Sequence, residues 1–110
     1  MTLAEFLKEK RQQKGWGLRV VASILEIDQS TLSKYENGHR LPTNEHISRF
    51  AKIYEMDEKE LKKLYLIEQI STMVLNSGLE NDFLKVAEEQ VEYRRTKQEE
   101  IKKSTKSKTK

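Results

Sequence analysis

Cysteine is absent from this chain, so it can build neither a disulfide nor a thiolate metal site. A single proline, Pro42, and four glycines leave few places where a helix is forced to stop. No apolar run approaches the ~20 residues that cross a bilayer, and no basic start leads into an apolar leader. The expectation is a cytoplasmic protein with no membrane partner. No Val/Ile/Thr alternation marks a strand. Only two histidines occur, His39 and His46, and both read as surface or loop residues. With no paired-carboxylate pocket, glycine-rich phosphate loop or nucleophile signature, the sequence argues against an enzyme. It offers no metal site, no cofactor site and no evident small-molecule ligand.

What is present is charge, unevenly spread. Hydrophobic and charged residues each make up 35% of the 110, so the core is modest and the surface heavily charged. Residues 1–56 carry nine basic against seven acidic side chains, residues 57–93 four against nine, and residues 94–110 eight against two. A mildly basic head, an acidic middle and a basic end exclude a uniformly cationic coat. A nucleic-acid contact would have to be local.

Everything else reads as helix and short turn. Thr2-Leu-Ala-Glu5 is a capping box, and Leu3, Phe6 and Leu7 stripe a first helix ending near Lys14-Gly15. A second helix covers Leu18 to Leu25. Asp28 is the expected N-cap of a third, closed by Asn37-Gly38. Pro42-Thr43 opens a fourth, with Ile47, Phe50, Ala51 and Tyr54 on one face. Asp57-Glu-Lys-Glu60 reads as a second capping box. The pattern then continues to a stop at Asn76-Ser77-Gly78, and a sixth helix starts near Leu79. Trp16 reads as core filler.

The third helix, "QSTLSKYE" after Asp28, is the odd one. Only Leu32 and Tyr35 hold it down, and the rest is small and polar, so it reads as a helix built to present its other face. Counting from Leu18, apolar residues fall at steps 4, 8, 10, 15 and 18 (Val21, Leu25, Ile27, Leu32, Tyr35), with the small Ala22 at step 5, where two helices crossing steeply leave no room. On these residues the chain resembles the phage-repressor/Cro-like (Xre-type) helix-turn-helix transcriptional regulator family. The carrying stretch is "LRVVASILEIDQSTLSKYENGHRLP", and the resemblance covers roughly residues 2–66.

The resemblance implies an all-α fold, a five-helix lambda-repressor-like DNA-binding head with a C-terminal helical extension. It implies that the third helix enters the major groove of double-stranded DNA. Gln29, Ser30, Thr31, Ser33 and Lys34 would read base edges, unless they form an ordinary solvated face. Arg19, Asn37, His39 and Arg40 would bind phosphate, unless they are solubility charges. Arg11 and Glu36 would form a structural ion pair joining the first helix to the third. Two departures stand out. Glu26 occupies step 9, the left-handed turn position usually held by Gly. Gly17 and Leu18 replace residues that often reach phosphate, which shifts weight to Arg19.

Beyond the head, Leu66, Ile70, Met73, Val74, Phe83, Ala87 and Val91 are an apolar surplus. They read either as a homodimer interface, which would supply two recognition helices about 34 Å apart, or as a sixth helix folded back on the head. The expected organisation is 1–66 as DNA-binding domain, 67–95 as helical dimerisation extension and 96–110 as basic flexible tail. The leading expectation is a sequence-specific regulator, a repressor first, acting as a dimer on a two-fold-related operator. The alternative is a protein-interaction module, antitoxin-like or an adaptor. In that case substitutions at Gln29, Ser30, Thr31 and Lys34 would be tolerated, and changes at Ile70 or Phe83 would not.

Overall fold

A computed structural model of the chain describes residues 1–108, with side chains described through residue 104. The described residues form six α-helices and one 3₁₀ turn: α1 (Leu3–Gln13), α2 (Leu18–Leu25), α3 (Gln29–Glu36), α4 (Asn44–Ile53), α5 (Glu58–Ser77), the turn Asn81–Phe83, and α6 (Leu84–Lys108). The all-α expectation holds. The chain divides into two compact units between Met73 and Val74, later than the expected boundary at residue 66. No glycine or proline interrupts residues 58–77, so α5 runs through that position as one helix.

In the first unit the core is a single cluster. Leu3 and Leu7 of α1 meet Val21, Ala22 and Leu25 of α2, Leu32 and Tyr35 of α3, Ile47, Phe50, Ala51 and Tyr54 of α4, and Leu61 and Tyr65 of α5. Phe50 stacks on Tyr54 with ring centres 5.9 Å apart and takes the edge of Tyr35 at 6.3 Å. Trp16 stacks on Tyr54 from the α1–α2 connection, at 6.2 Å. Such aromatic pairs add about 0.5–1.5 kcal/mol each beyond the area they bury. α3 packs on α1 and α2, and α2 on α4.

The helix starts are partly as the sequence suggests. Thr2 and Glu5 form the reciprocal capping box, and the Thr43 hydroxyl accepts the His46 N–H at 3.1 Å. Asp28 has N-cap torsions, but its carboxylate makes no capping hydrogen bond. The expected box at residues 57–60 does not form. Asp57 accepts the Lys59 N–H at 3.0 Å, while the Glu60 carboxylate goes to Lys63 Nζ at 3.1 Å. An exposed lysine one turn along competes for that carboxylate with the backbone amide.

The ends of α1 to α4 share one device, a paired hydrogen bond around a residue of positive φ. Gly15 and Gly38 occupy it after α1 and α3, Glu26 and Glu55 after α2 and α4. At Glu26, with φ 58° and ψ 44°, the Ile27 amide donates to the Ala22 carbonyl at 3.0 Å and the Glu26 amide to the Ser23 carbonyl at 3.2 Å. The turn takes the left-handed geometry that the resemblance implies, without a glycine, at a cost of about 1–2 kcal/mol.

In the second unit α6 extends through Lys108, beyond residue 96 where the flexible tail was expected to begin. Its Glu, Lys, Arg and Gln residues are strong helix formers. Lys97 pairs with Glu100 at 3.5 Å and lies 5.6 Å above the Tyr93 ring. Residues 109–110 of the expected tail lie outside the described residues. No described helix is long and apolar enough to cross a membrane.

Candidate nucleic-acid interface

The geometry of α3 follows from what lies beneath it. Leu32, Tyr35 and Glu36 are buried, with Glu36 the one buried charged residue among those described. The opposite side carries Gln29, Ser30 and Lys34, all exposed, with Thr31 and Ser33 half-buried at its margins. The Ser33 hydroxyl accepts the Asn37 amide at 3.3 Å, so these two expected contact residues are brought together. Arg19, Asn37, His39 and Arg40 are all exposed, Arg19 in the first turn of α2 and the others in the connection after α3.

Arg11 and Glu36 also meet. Arg11 Nε donates to both Glu36 oxygens, at 2.9 and 3.1 Å, and Nη1 donates to the Trp16 carbonyl at 2.9 Å. The Glu36 side chain is 2% exposed and that of Arg11 12%. One guanidinium therefore joins α1, the α1–α2 connection and the end of α3. Glu36 immediately precedes Asn37, the C-cap where the chain leaves the helix.

On its other flank α3 is tied to α4. The Tyr35 hydroxyl and His46 Nδ1 are 2.6 Å apart. Burial, followed by the positive charge of Arg49, lowers the His46 pKa below its ordinary 6.5. The two side chains share one hydrogen bond that links α3 to α4. Burial raises the Tyr35 phenol, against the opposing pull of Arg40.

One residue that sequence reading passed over is Arg49. Its Nη1 donates to the Leu25 carbonyl at 2.6 Å, and its Nη2 to Glu45 at 2.7 Å. It ties α4 to the turn between α2 and α3, where Glu26 is strained. The Glu45/Arg49 spacing of four residues was visible in the sequence. The carbonyl partner, twenty-four residues back, was not.

α2 and α3 thus form a closely packed pair joined by a left-handed turn, with the second helix turned outward. The family model described as a helix-turn-helix domain matches residues 2–64. The chain belongs to that family. Within this helix-turn-helix family, a similar protein is the HTH-type transcriptional regulator AnsR of Bacillus subtilis (strain 168), 36% identical over 55 residues. That match covers 50% of this chain and 47% of the relative, so the chain spans about half the length of the curated relative it matches. The residues matched by the family model contain α1 to α4 and the first turns of α5 up to residue 64. They stop short of the residues expected to form a dimer interface.

Those residues are mostly solvent-facing. Leu66 is 55% exposed, Ile70 43%, Met73 72% and Val91 47%; Phe83 and Ala87 are exposed and Val74 is half-buried.

Proposed function

We propose that this protein is a sequence-specific regulator of transcription that binds double-stranded DNA as a homodimer, with α3 in the major groove. The observation that carries the reading is the outward face of α3, Gln29 to Lys34, held rigidly from behind by Leu32, Tyr35 and Glu36. Membership of the helix-turn-helix family and the likeness to a transcriptional regulator support it. Small side chains let the backbone seat deeply. In this reading Gln29 bonds an adenine with both ends of its amide, Ser30 and Thr31 meet base edges or a thymine methyl, and Lys34 reaches guanine. Ser33 reads at the margin while steadying Asn37. Arg19, Asn37, His39 and Arg40 hold the phosphates on either side and fix register.

One α3 covers half a site, and useful discrimination over random DNA, ~10³–10⁷-fold, takes two. Leu66, Ile70, Met73, Val74, Phe83, Ala87 and Val91 supply apolar area for a two-fold interface, which matches a two-fold-related operator. A regulator that does no more than occupy a promoter represses by exclusion, so repression is the sign proposed.

Two single substitutions separate reading from anchoring. Gln29→Ala relaxes preference at one base position by about 1–3 kcal/mol and leaves affinity for other sequences nearly unchanged. Arg40→Ala weakens binding to every sequence alike and lowers the slope of log K against log salt by about 1. Titrating both variants on cognate and scrambled duplexes at several salt concentrations reads the two effects apart. If binding is indifferent to both changes while Ile70→Asp abolishes activity, the head is a protein-docking module instead.

A further inference from the structure

The proposed function calls for a second copy of the chain. If that proposal holds, the register of α6 shows how the helix meets its counterpart. None of the described side chains of α6 is buried, and only Leu84 is as much as half-buried. Leu84, Ala87, Val91, Arg94, Gln98 and Ile101 follow one another by alternate steps of three and four residues. That spacing is a seam on one side of a helix in a two-helix pair. The step pattern reads the same in both directions, so a reversed copy can be laid against it in register. Leu84 then lies opposite Ile101, Ala87 opposite Gln98 and Val91 opposite Arg94.

Charge decides between the two directions. Residues 80–92 carry five acidic side chains and one basic, whereas residues 94–103 carry five basic and two acidic. Side by side in the same direction, two copies oppose acid to acid and base to base along their length. Reversed, each acidic half lies against a basic half, and Glu88 and Arg95, on the same flank of the seam, become neighbours across the pair.

We propose that α6 forms an antiparallel two-helix pair with α6 of a second copy of this chain, Leu84 to Ile101 forming the seam and the acidic and basic halves setting the direction. The Arg94 stem lies along Val91 of the other copy, with its guanidinium toward that copy's acidic half. A polar seam position of this kind fixes register. The basic end of the chain thereby has a partner in the protein itself, apart from any attraction to DNA.

The absence of cysteine makes the test direct. Full-length chains carrying Ala87→Cys or Gln98→Cys are oxidised separately and as a mixture, without DNA. The antiparallel pair gives the mixed disulfide as the main cross-linked product and little from either variant alone, because a disulfide cannot bridge Cα atoms more than ~7 Å apart. Reversing the acidic half (Glu88→Lys, Glu89→Lys, Glu92→Lys) weakens self-association about tenfold at low salt, and adding Arg95→Glu, Lys102→Glu and Lys103→Glu restores it. A homodisulfide from Ala87→Cys alone, a monomeric mass, or a dimer whose mass ignores the charge reversal overturns the pairing. A dimer joined elsewhere that still selects a two-fold operator removes this inference and leaves the proposed function standing. Cross-linking in the antiparallel pattern with no sequence preference does the reverse.

Discussion

Tyr54 sits at the meeting point of Phe50 and Trp16, and its hydroxyl is buried with no hydrogen-bond partner. Burial, reinforced by the negative charge of Glu36, holds this phenol protonated well above its ordinary range. The ring is what the core needs. The oxygen carries a desolvation cost of about 1–3 kcal/mol. Tyr54→Phe therefore stabilises the fold by about 1 kcal/mol in denaturant titration; a loss of that size would mean that a water satisfies the hydroxyl. His46 gives a prediction of the opposite kind. Its folded pKa is lowered by burial and by Arg49, so on acidification the unfolded chain takes up the proton first. Stability is intact above about pH 6.5 and declines as pH falls from there toward the lower folded value. His46→Gln should flatten that acid limb, measured by denaturant midpoints between about pH 7 and 5. Neither feature could be read from the sequence. The residue types were visible there, but Trp16 against Tyr54 and Tyr35 against His46 come from distant parts of the chain.

At the scale of elements, the helix boundaries were largely legible because local chemistry sets them: Thr2 and Thr43 as caps, Gly15 and Gly38 as stops, helical periods between. The departures arose where two local rules compete. Glu60 had both a backbone amide and Lys63 within reach and took the lysine. Residues past 95 look like low-complexity polar sequence yet consist largely of helix formers, and the helix continues. Glu26 shows a third outcome, a left-handed turn kept without the residue that suits it. Tertiary packing of α2 and α3, together with Arg49 on the Leu25 carbonyl, holds that geometry against local preference. The joint between α1 and α3 rests on Arg11 and Glu36. Glu36→Ala leaves a largely buried guanidinium with only the Trp16 carbonyl, at a cost of about 3 kcal/mol. Replacing both by apolar residues, Arg11→Met with Glu36→Leu, should recover most of that loss. Thermal unfolding of the two variants distinguishes the cases, and equal losses in both would show that the pair's charge is itself stabilising.

At the scale of the whole molecule, the family and the exposed side of α3 were within reach of sequence reading because the helix-turn-helix spacing ties identity to position. Arg49 as a brace for the turn before that helix was not, since its partner there is the Leu25 backbone carbonyl, which has no sequence signature. The central claim is that the face from Gln29 to Lys34 reads bases. Selection of bound fragments from a random duplex library, with the mass of the bound protein measured, tests it most directly. The expected product is an inverted repeat whose half-site centres lie about ten base pairs apart, bound by two chains. Recovery of fragments with no common sequence, bound by a single chain, would contradict it.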